Sequence, residues 1–360
     1  MSSETVRIAP SSGSYDVIVG AGILQSAGEH LAPLLPSRSA FIISDSNVAP
    51  LYLDRLRSSL ALKGIHAAHA VFPAGEASKN LSTLSDLLEA MAAAELTRSS
   101  TVIALGGGVT GDMTGLAAAL YMRGISYVQI PTTLLAMVDS SVGGKCAVDL
   151  AAGKNLAGAF LQPLAVLADT STLATLDDEV FADGCAEVIK HAVLADPELF
   201  DTLAERPLNK DDDGLYLMTV IATNIGIKRR FVEADERERG PRRLLNLGHS
   251  IGHAVEAASG YTMGHGHAVA IGLTAIARAS ERLGWAEEGI AERIEAVVAA
   301  HGLPTESPYP AKDLIGFARL DKKSDDNGIT LAVPKRIGSA ELRYVSFGEF
   351  AYAIELGVGA

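Results

Sequence analysis

Four of the nine histidines, His249, His253, His265 and His267, fall within nineteen residues. A lone histidine is ordinarily a hydrogen-bonded core or surface residue, and that reading suffices for His30, His66, His69 and His301. Clustering at this density points instead to a site. His249 and His253 are four apart in a segment expected to be helical, hence on one face. His265 follows a glycine-bounded turn, where a loop can return it beside them. Two or three imidazoles, one carboxylate and an open position make a catalytic zinc-type centre. Glu187, in Ala186-Glu187-Val188-Ile189-Lys190-His191, is a candidate carboxylate. Spacing alone does not select it from the other glutamates.

A second signal is the run Gly106-Gly107-Gly108-Val109-Thr110-Gly111-Asp112. Glycines 106, 108 and 111 satisfy G-x-G-x-x-G between an expected strand and an expected helix. Such a turn lets the backbone approach a pyrophosphate at a helix N-terminus. Taken alone it is a weak signal, since glycine-rich turns also serve packing. The acidic ribose partner expected about twenty residues later is missing, because Pro131-Thr132-Thr133 stands there. Asp45, upstream after Ile42-Ile43-Ser44, is the acidic candidate, so the domain reads as a non-standard, Rossmann-like dinucleotide fold.

The elements that must position these groups divide in two. Strand-like runs occur at Asp16–Val19, Ala40–Ser44, Ala68–Phe72, Thr101–Leu105, Tyr127–Ile130 and Leu164–Ala168, with helix-like stretches at Asn80–Ala94 and Met113–Tyr121. That alternation predicts an α/β domain with a mainly parallel sheet over 1–175. From 176 to 360 the texture is mainly helical, with Asp178–Leu194, Leu215–Ala234, Leu245–Ala258, Ala268–Arg282 and Ala286–Ala300 as helices. Thr330–Pro334 and Glu341–Ser346 read as a hairpin. Two domains suit 360 residues.

The formal net charge is −13, from 30 Lys and Arg against 43 Asp and Glu. That balance argues against nucleic acid and anionic membranes as partners. Cys146 and Cys185 are too few for a disulfide framework. A polar start and the absence of a long apolar span lead to the expectation of a cytoplasmic protein. Any local concentration of Lys and Arg in so acidic a chain therefore needs its own explanation.

At this point a resemblance becomes specific. Gly75-Glu76-Ala77-Ser78-Lys79, the loop Gly106–Asp112, the run Tyr121–Lys145, Gly153-Lys154-Asn155, Ala186–His191, Asn246–His253 and His265-Gly266 occur in one order. In this the chain resembles the 3-dehydroquinate synthase family of sugar-phosphate cyclases over nearly its full length. The resemblance implies Glu187, His249 and His265 as ligands of a divalent metal, zinc or cobalt, with His253 as an acid–base group. It assigns NAD to Asp45, Glu76, Lys79, Gly108, Val109, Thr110, Gly111, Asp112, Thr132, Thr133, Lys145, Lys154, Thr172 and Thr175. Asp139, Lys145, Lys190 and Asn246 would join the catalytic set. Asn155, Lys228, Arg242 and Lys323 would hold a sugar phosphate, and Arg123 would reach the phosphate of a neighbouring subunit in a homodimer. The implied reaction turns 3-deoxy-arabino-heptulosonate 7-phosphate into 3-dehydroquinate with loss of phosphate, a step of the shikimate pathway of aromatic amino acid biosynthesis. NAD is lent a hydride and returns it.

One departure stands out. The family pattern His-Gly-Glu is here His265-Gly266-His267. A carboxylate beside a metal-binding histidine can orient an imidazole, and histidine is a weaker acceptor. The change reads first as a tolerated replacement, then as altered metal preference, and last as a shift in substrate. Asp149 also replaces a more usual asparagine. Sister cyclases of the amino-dehydroquinate, deoxy-inosose and valiolone types are alternative readings, as are a metal-dependent polyol dehydrogenase and an inactive scaffold. Lys228 and Arg242 favour a substrate that carries a carboxylate.

Overall fold

The computed structural model describes residues 3–318 and 328–359. They fall into two units, Met1–Leu176 with Asp211–Arg229, and Asp177–Lys210 with Arg230–Ala360. The boundary expected after Thr175 is corrected in one respect, since Asp211–Arg229 counts with the first unit. Gly214 lies against Ala21 and Thr170, and Lys228 pairs with Asp139. Those contacts tie the segment to the α/β unit.

The first unit is built from β1 (Ser3–Ile8), β2 (Tyr15–Gly20), α1 (Ala27–Leu31), β3 (Ser39–Asp45), α2 (Ala49–Ala61), β4 (His66–Phe72), α3 (Leu81–Ala93), β5 (Thr101–Gly106), α4 (Gly108–Leu120), β6 (Ser126–Pro131), β7 (Lys145–Leu150), β8 (Gly153–Phe160) and β9 (Ala165–Asp169). The sheet order is β1-β2-β9-β6-β5-β3-β4. Within this seven-stranded sheet, among the described residues, only the β1–β2 pair is antiparallel, while β7 and β8 form a separate antiparallel hairpin. Alternation along the strands sends side chains to opposite faces. Ile42, Ile103 and Val128 join one core with Leu56 and Leu60 of α2. Phe41, Val102 and Tyr127 join the other with Leu84 of α3 and Leu116 of α4. Both faces are therefore covered, as a parallel sheet requires.

The chain leaves β3 outward to β4 and returns to β5 on the other side of β3. That reversal is a topological switch point, where open α/β sheets bind ligands at the strands' carboxyl ends. Asp45 ends β3 and Gly106 ends β5. Helix α4 starts at Gly108, not at Met113, because its glycines are a packing face. A Cβ on Gly111 would lie 2.6 Å from Gln129 Oε1, and one on Gly115 only 2.2 Å from Cys146 Sγ of β7. Tertiary contact thus overrides a helix cost of about 1 kcal/mol per glycine.

Helix α7 (Gly214–Ala234) runs from the first unit into the second. The second unit holds α5 (Asp178–Ala195), α6 (Pro197–Glu205), α8 (His249–Ala258), α9 (His265–Arg282), α10 (Ile290–Ala300), α11 (Ala311–Ala318), the hairpin β10 (Gly328–Arg336) with β11 (Ser339–Ser346), and α12 (Phe347–Val358). Helix α9 is apolar nearly all round and packs against α5, α8, α10 and α12, as expected of a central helix. A Cβ on Gly272 would meet Gly248 O at 2.1 Å, and one on Gly252 would meet Ala268 O at 3.0 Å. The two helices that carry the histidines can approach only because these positions are bare. Among the described residues no helix is long and apolar enough to cross a membrane.

The packing at Gly115 is directly testable. Gly115→Ala adds a methyl where Cys146 already sits, and overpacking of this kind costs about 1–3 kcal/mol. Urea unfolding should show that loss. Unchanged stability would mean that α4 and β7 are not pressed together.

Candidate active site

Glu187 projects from the middle of α5 and is 0% exposed. A buried carboxylate must meet positive charge or hydrogen-bond donors. Lys190, one turn on and 1% exposed, forms an ion pair with Glu187 Oε2. Oε1 has no hydrogen-bond partner among the described residues. It faces His249 Nε2 at 3.6 Å and His265 Nε2 at 3.7 Å. His249 opens α8 and His265 opens α9. The three ligand atoms lie within 4.8 Å of one another.

The hydrogen bonds at the far side of each ring decide what these atoms are. His249 Nδ1 lies 3.2 Å from the Leu247 carbonyl, which only accepts, so Nδ1 carries the proton and Nε2 presents a lone pair. Burial and the Lys190 charge hold His249 well below the usual histidine range, keeping it neutral. His265 Nδ1 faces Glu256 Oε2 at 3.4 Å, leaving its Nε2 toward Glu187. Burial disfavours a charged His265, but Glu187 and Glu256 outweigh it and push its pKa up to about 10. Burial likewise opposes ionisation of Glu187, yet Lys190 and the imidazoles hold it well below the ordinary carboxylate range. A carboxylate and two imidazole nitrogens converging on one point demand a cation. In a metal-free centre the His265 proton supplies part of it, and a metal displaces that proton. One carboxylate with two histidines suits zinc or cobalt.

His253 lies one turn beyond His249, with ring centroids 5.4 Å apart, and 6.1 Å from the His265 ring. The sequence missed Glu256, the carboxylate that holds His265. His249, His253 and Glu256 stand at i, i+4 and i+7 of α8, a one-face spacing that could have revealed it. The sequence also placed the ligand-orienting partner at position 267. His267 turns instead to Asp183 of α5, with Nδ1 at 2.6 Å from Oδ1. That hydrogen bond, against burial, raises the His267 pKa.

The first unit gathers the residues assigned to NAD and part of the substrate set. At the switch point Thr110 Oγ1 donates to Asp45 Oδ2 at 2.9 Å, while Asp45 Oδ1 accepts from the Asn47 and Val48 amides. Asp45 therefore joins the end of β3 to the first turn of α4 rather than standing free. The first-turn amides of α4 point out of the helix beyond Gly107, which serves as its N-cap. Thr132 is buried, and its hydroxyl has no hydrogen-bond partner among the described residues. Bare glycines, open amides and an orphaned hydroxyl fit a dinucleotide. Thr133 Oγ1 accepts from the Ala136 amide. Thr172 Oγ1 and Thr175 Oγ1 donate to the carbonyls of Asp169 and Thr172.

Lys79 Nζ donates to Asp112 Oδ2 and Asn155 Oδ1, both at 2.6 Å. Burial works against its charge, but Asp112 and Glu76 outweigh that and hold the ammonium above the ordinary lysine range. Lys154 pairs with Glu76 at 3.0 Å. Asn155 has a left-handed backbone, φ 55, secured by Asp149 Oδ1 accepting from its amide at 2.7 Å. An asparagine oxygen could accept the same bond, so the contact itself does not require the aspartate. Lys228 Nζ pairs with Asp139 Oδ1 at 2.8 Å and also donates to the Asp139 carbonyl. Lys145 is exposed at the start of β7, and Arg123 lies exposed on a turn with φ 68.

In the second unit Arg242 and Asn246 belong to a 3-10 turn, Pro241–Asn246, just before α8. Arg242 is 1% exposed and donates through Nη1 to Glu236 O at 2.6 Å. Asn246 Nδ2 donates to Glu238 Oε1 at 2.7 Å. Both side chains thus fasten the segment that delivers His249. Lys323 lies outside the described residues.

The Glu256 contact carries a prediction. Loss of a partner that orients a metal-bound imidazole typically costs about 10–100-fold in metal affinity. Glu256→Ala should weaken zinc binding by that factor, read by competition with a chromophoric chelator. Wild-type affinity in the variant would remove Glu256 from the centre.

The comparisons with known proteins bear on the same residues. The family model for the 3-dehydroquinate synthase N-terminal region matches residues 69–183, and that for the C-terminal region matches 184–324. The 3-dehydroquinate synthase of Rhodospirillum rubrum is 44% identical over 353 residues, covering 95% of this chain and 91% of the relative. A solved 2-epi-5-epi-valiolone synthase from Streptomyces hygroscopicus, with NAD+ and Zn2+ bound, is 31% identical, with TM-score 0.85 and coverage of 94% and 95%. A 2-deoxy-scyllo-inosose synthase, complexed with carbaglucose-6-phosphate, NAD+ and Co2+, is 25% identical, with TM-score 0.88 and coverage of 98% and 100%. The two matched regions together span the glycine loop, Glu187, His249 and His265, and the chain belongs to the 3-dehydroquinate synthase family.

Proposed function

We propose that the chain is a 3-dehydroquinate synthase, a phosphate-eliminating cyclase that acts on 3-deoxy-arabino-heptulosonate 7-phosphate. The observation that carries this reading is the convergence of Glu187 Oε1, His249 Nε2 and His265 Nε2, flanked by Lys190, in a chain 44% identical to a relative of that name. Bound metal and NAD would supply polarisation of a carbon-bound oxygen and a hydride acceptor that gives its hydride back. Glu187, His249 and His265 hold the metal. The α4 amides, Lys79, Thr132 and their neighbours hold NAD.

Lys190 offsets the Glu187 charge and offers an ammonium to the substrate's oxygens. His253 is set to carry a proton to or from a substrate oxygen. Asp139 orients the Lys228 ammonium toward an anionic group. Lys145, Asn155 and Lys323 complete the anion-binding set, and Arg242 and Asn246 act by fixing the segment before His249. The exposed Arg123 on its strained turn is assigned to the phosphate site of a second copy, in a cytoplasmic homodimer. Nothing in this scheme consumes NAD, because oxidation and reduction of the same substrate cancel.

Inorganic phosphate should appear with no lasting rise in NADH absorbance, at catalytic concentrations of NAD. Chelation should stop the reaction, and zinc or cobalt should restore it. One NADH formed per product would overturn the cyclase reading in favour of a polyol dehydrogenase.

A further inference from the structure

Asp183 lies one turn before Glu187 on α5, so the two carboxylates share a face. On α9, His265 and His267 both lie in the first turn. Asp183 Oδ1 accepts the His267 ring Nδ1 proton at 2.6 Å and the His267 backbone N–H at 2.8 Å. The contact is close along the whole turn. A Cβ on Gly264 would lie 2.4 Å from Asp183 Oδ2, and one on Gly266 would lie 2.0 Å from the Asp183 carbonyl. Helix α9 has no acidic residue in its first turn, and Gly264 gives it no side-chain cap. A carboxylate from α5 fills that role.

We propose that Asp183 and His267 form a clamp that docks the start of α9 on α5 and so sets the separation of the ligands Glu187 and His265. Both are positioning residues, and the inference rests on the metal-centre reading given above. The clamp needs a donor at position 267. A glutamate there, the residue more usual in the family, would put a second carboxylate against Asp183. Histidine at 267 is therefore matched to aspartate at 183, and replacing one alone by a side chain that cannot keep the donor–acceptor match breaks the pair.

The test measures zinc affinity of the purified full chain by chelator competition, beside the melting temperature of the metal-free protein. His267→Ala and Asp183→Ala should each weaken zinc binding about 10–100-fold, and His267→Glu should weaken it at least as much through like-charge repulsion. His267→Asn, whose amide can still donate to Asp183, should stay within about threefold of wild type, by the same hydrogen-bond logic. Asp183→Asn combined with His267→Glu should recover part of the His267→Glu loss. If the alanine variants fail to fold, the contrast of His267→Asn with His267→Glu decides. Wild-type zinc affinity in His267→Glu would overturn the clamp, as would a lowered metal-free melting temperature with zinc affinity unchanged. A wild-type chain that bound no zinc would instead overturn the metal centre itself.

Discussion

A carboxylate placed in a helical core has to be met by positive charge, and the second unit is arranged around that demand. Glu187 has no exposure to water, so its negative charge can be balanced only from within. Lys190 answers one oxygen. The other faces two imidazole nitrogens that are set by their own outer contacts, His249 through the Leu247 carbonyl and His265 through Glu256. The Leu247 carbonyl fixes the His249 proton on Nδ1 and so turns the Nε2 lone pair inward, while Glu256 holds Nδ1 of His265 and leaves its Nε2 facing Glu187. The centre is a cation site because Lys190, the Leu247 carbonyl and Glu256 hold its three ligand residues in this arrangement.

Bringing those groups together depends on bare backbone. The histidine-bearing helices α8 and α9 meet where Gly248, Gly252 and Gly272 leave no Cβ to separate them. The same device recurs in the first unit, where glycines of α4 rest on Gln129 and Cys146. There the glycine run has two effects from one composition. It seats the helix, and it leaves the first-turn amides open at the sheet's switch point, beside Asp45. Packing and ligand binding are thus not rival explanations of that loop.

The ion pairs of the first unit follow a similar economy. Lys79 is buried between Asp112 and Asn155, and Lys154 is held by Glu76. Lys228 is held by Asp139. In a chain with a net charge of −13, Lys79, Lys154 and Lys228 each have an acidic or amide partner that orients the ammonium. Such pairing limits mutual repulsion among the ammonium groups and fixes where each one points.

Periodicity alone determined the α/β-then-helical order, because β3, β5 and β6 are buried on both faces and read as continuous apolar runs. It could not show β7 and β8, whose hairpin is half exposed. It also started α4 at Met113, since glycines read as turn residues until something packs against them. The ligand types were legible in the histidine cluster, and the identity of Glu187 came through family resemblance rather than spacing. Tertiary structure decided the rest. Glu256, rather than residue 267, holds the His265 ring, and Asp183 lies 84 positions from its partner His267. Asp211–Arg229 belongs with the sheet although it lies far from it in sequence. Side-chain period reports which face of an element is buried, whereas the partner across that face is set by how helices cross, and no local pattern carries that.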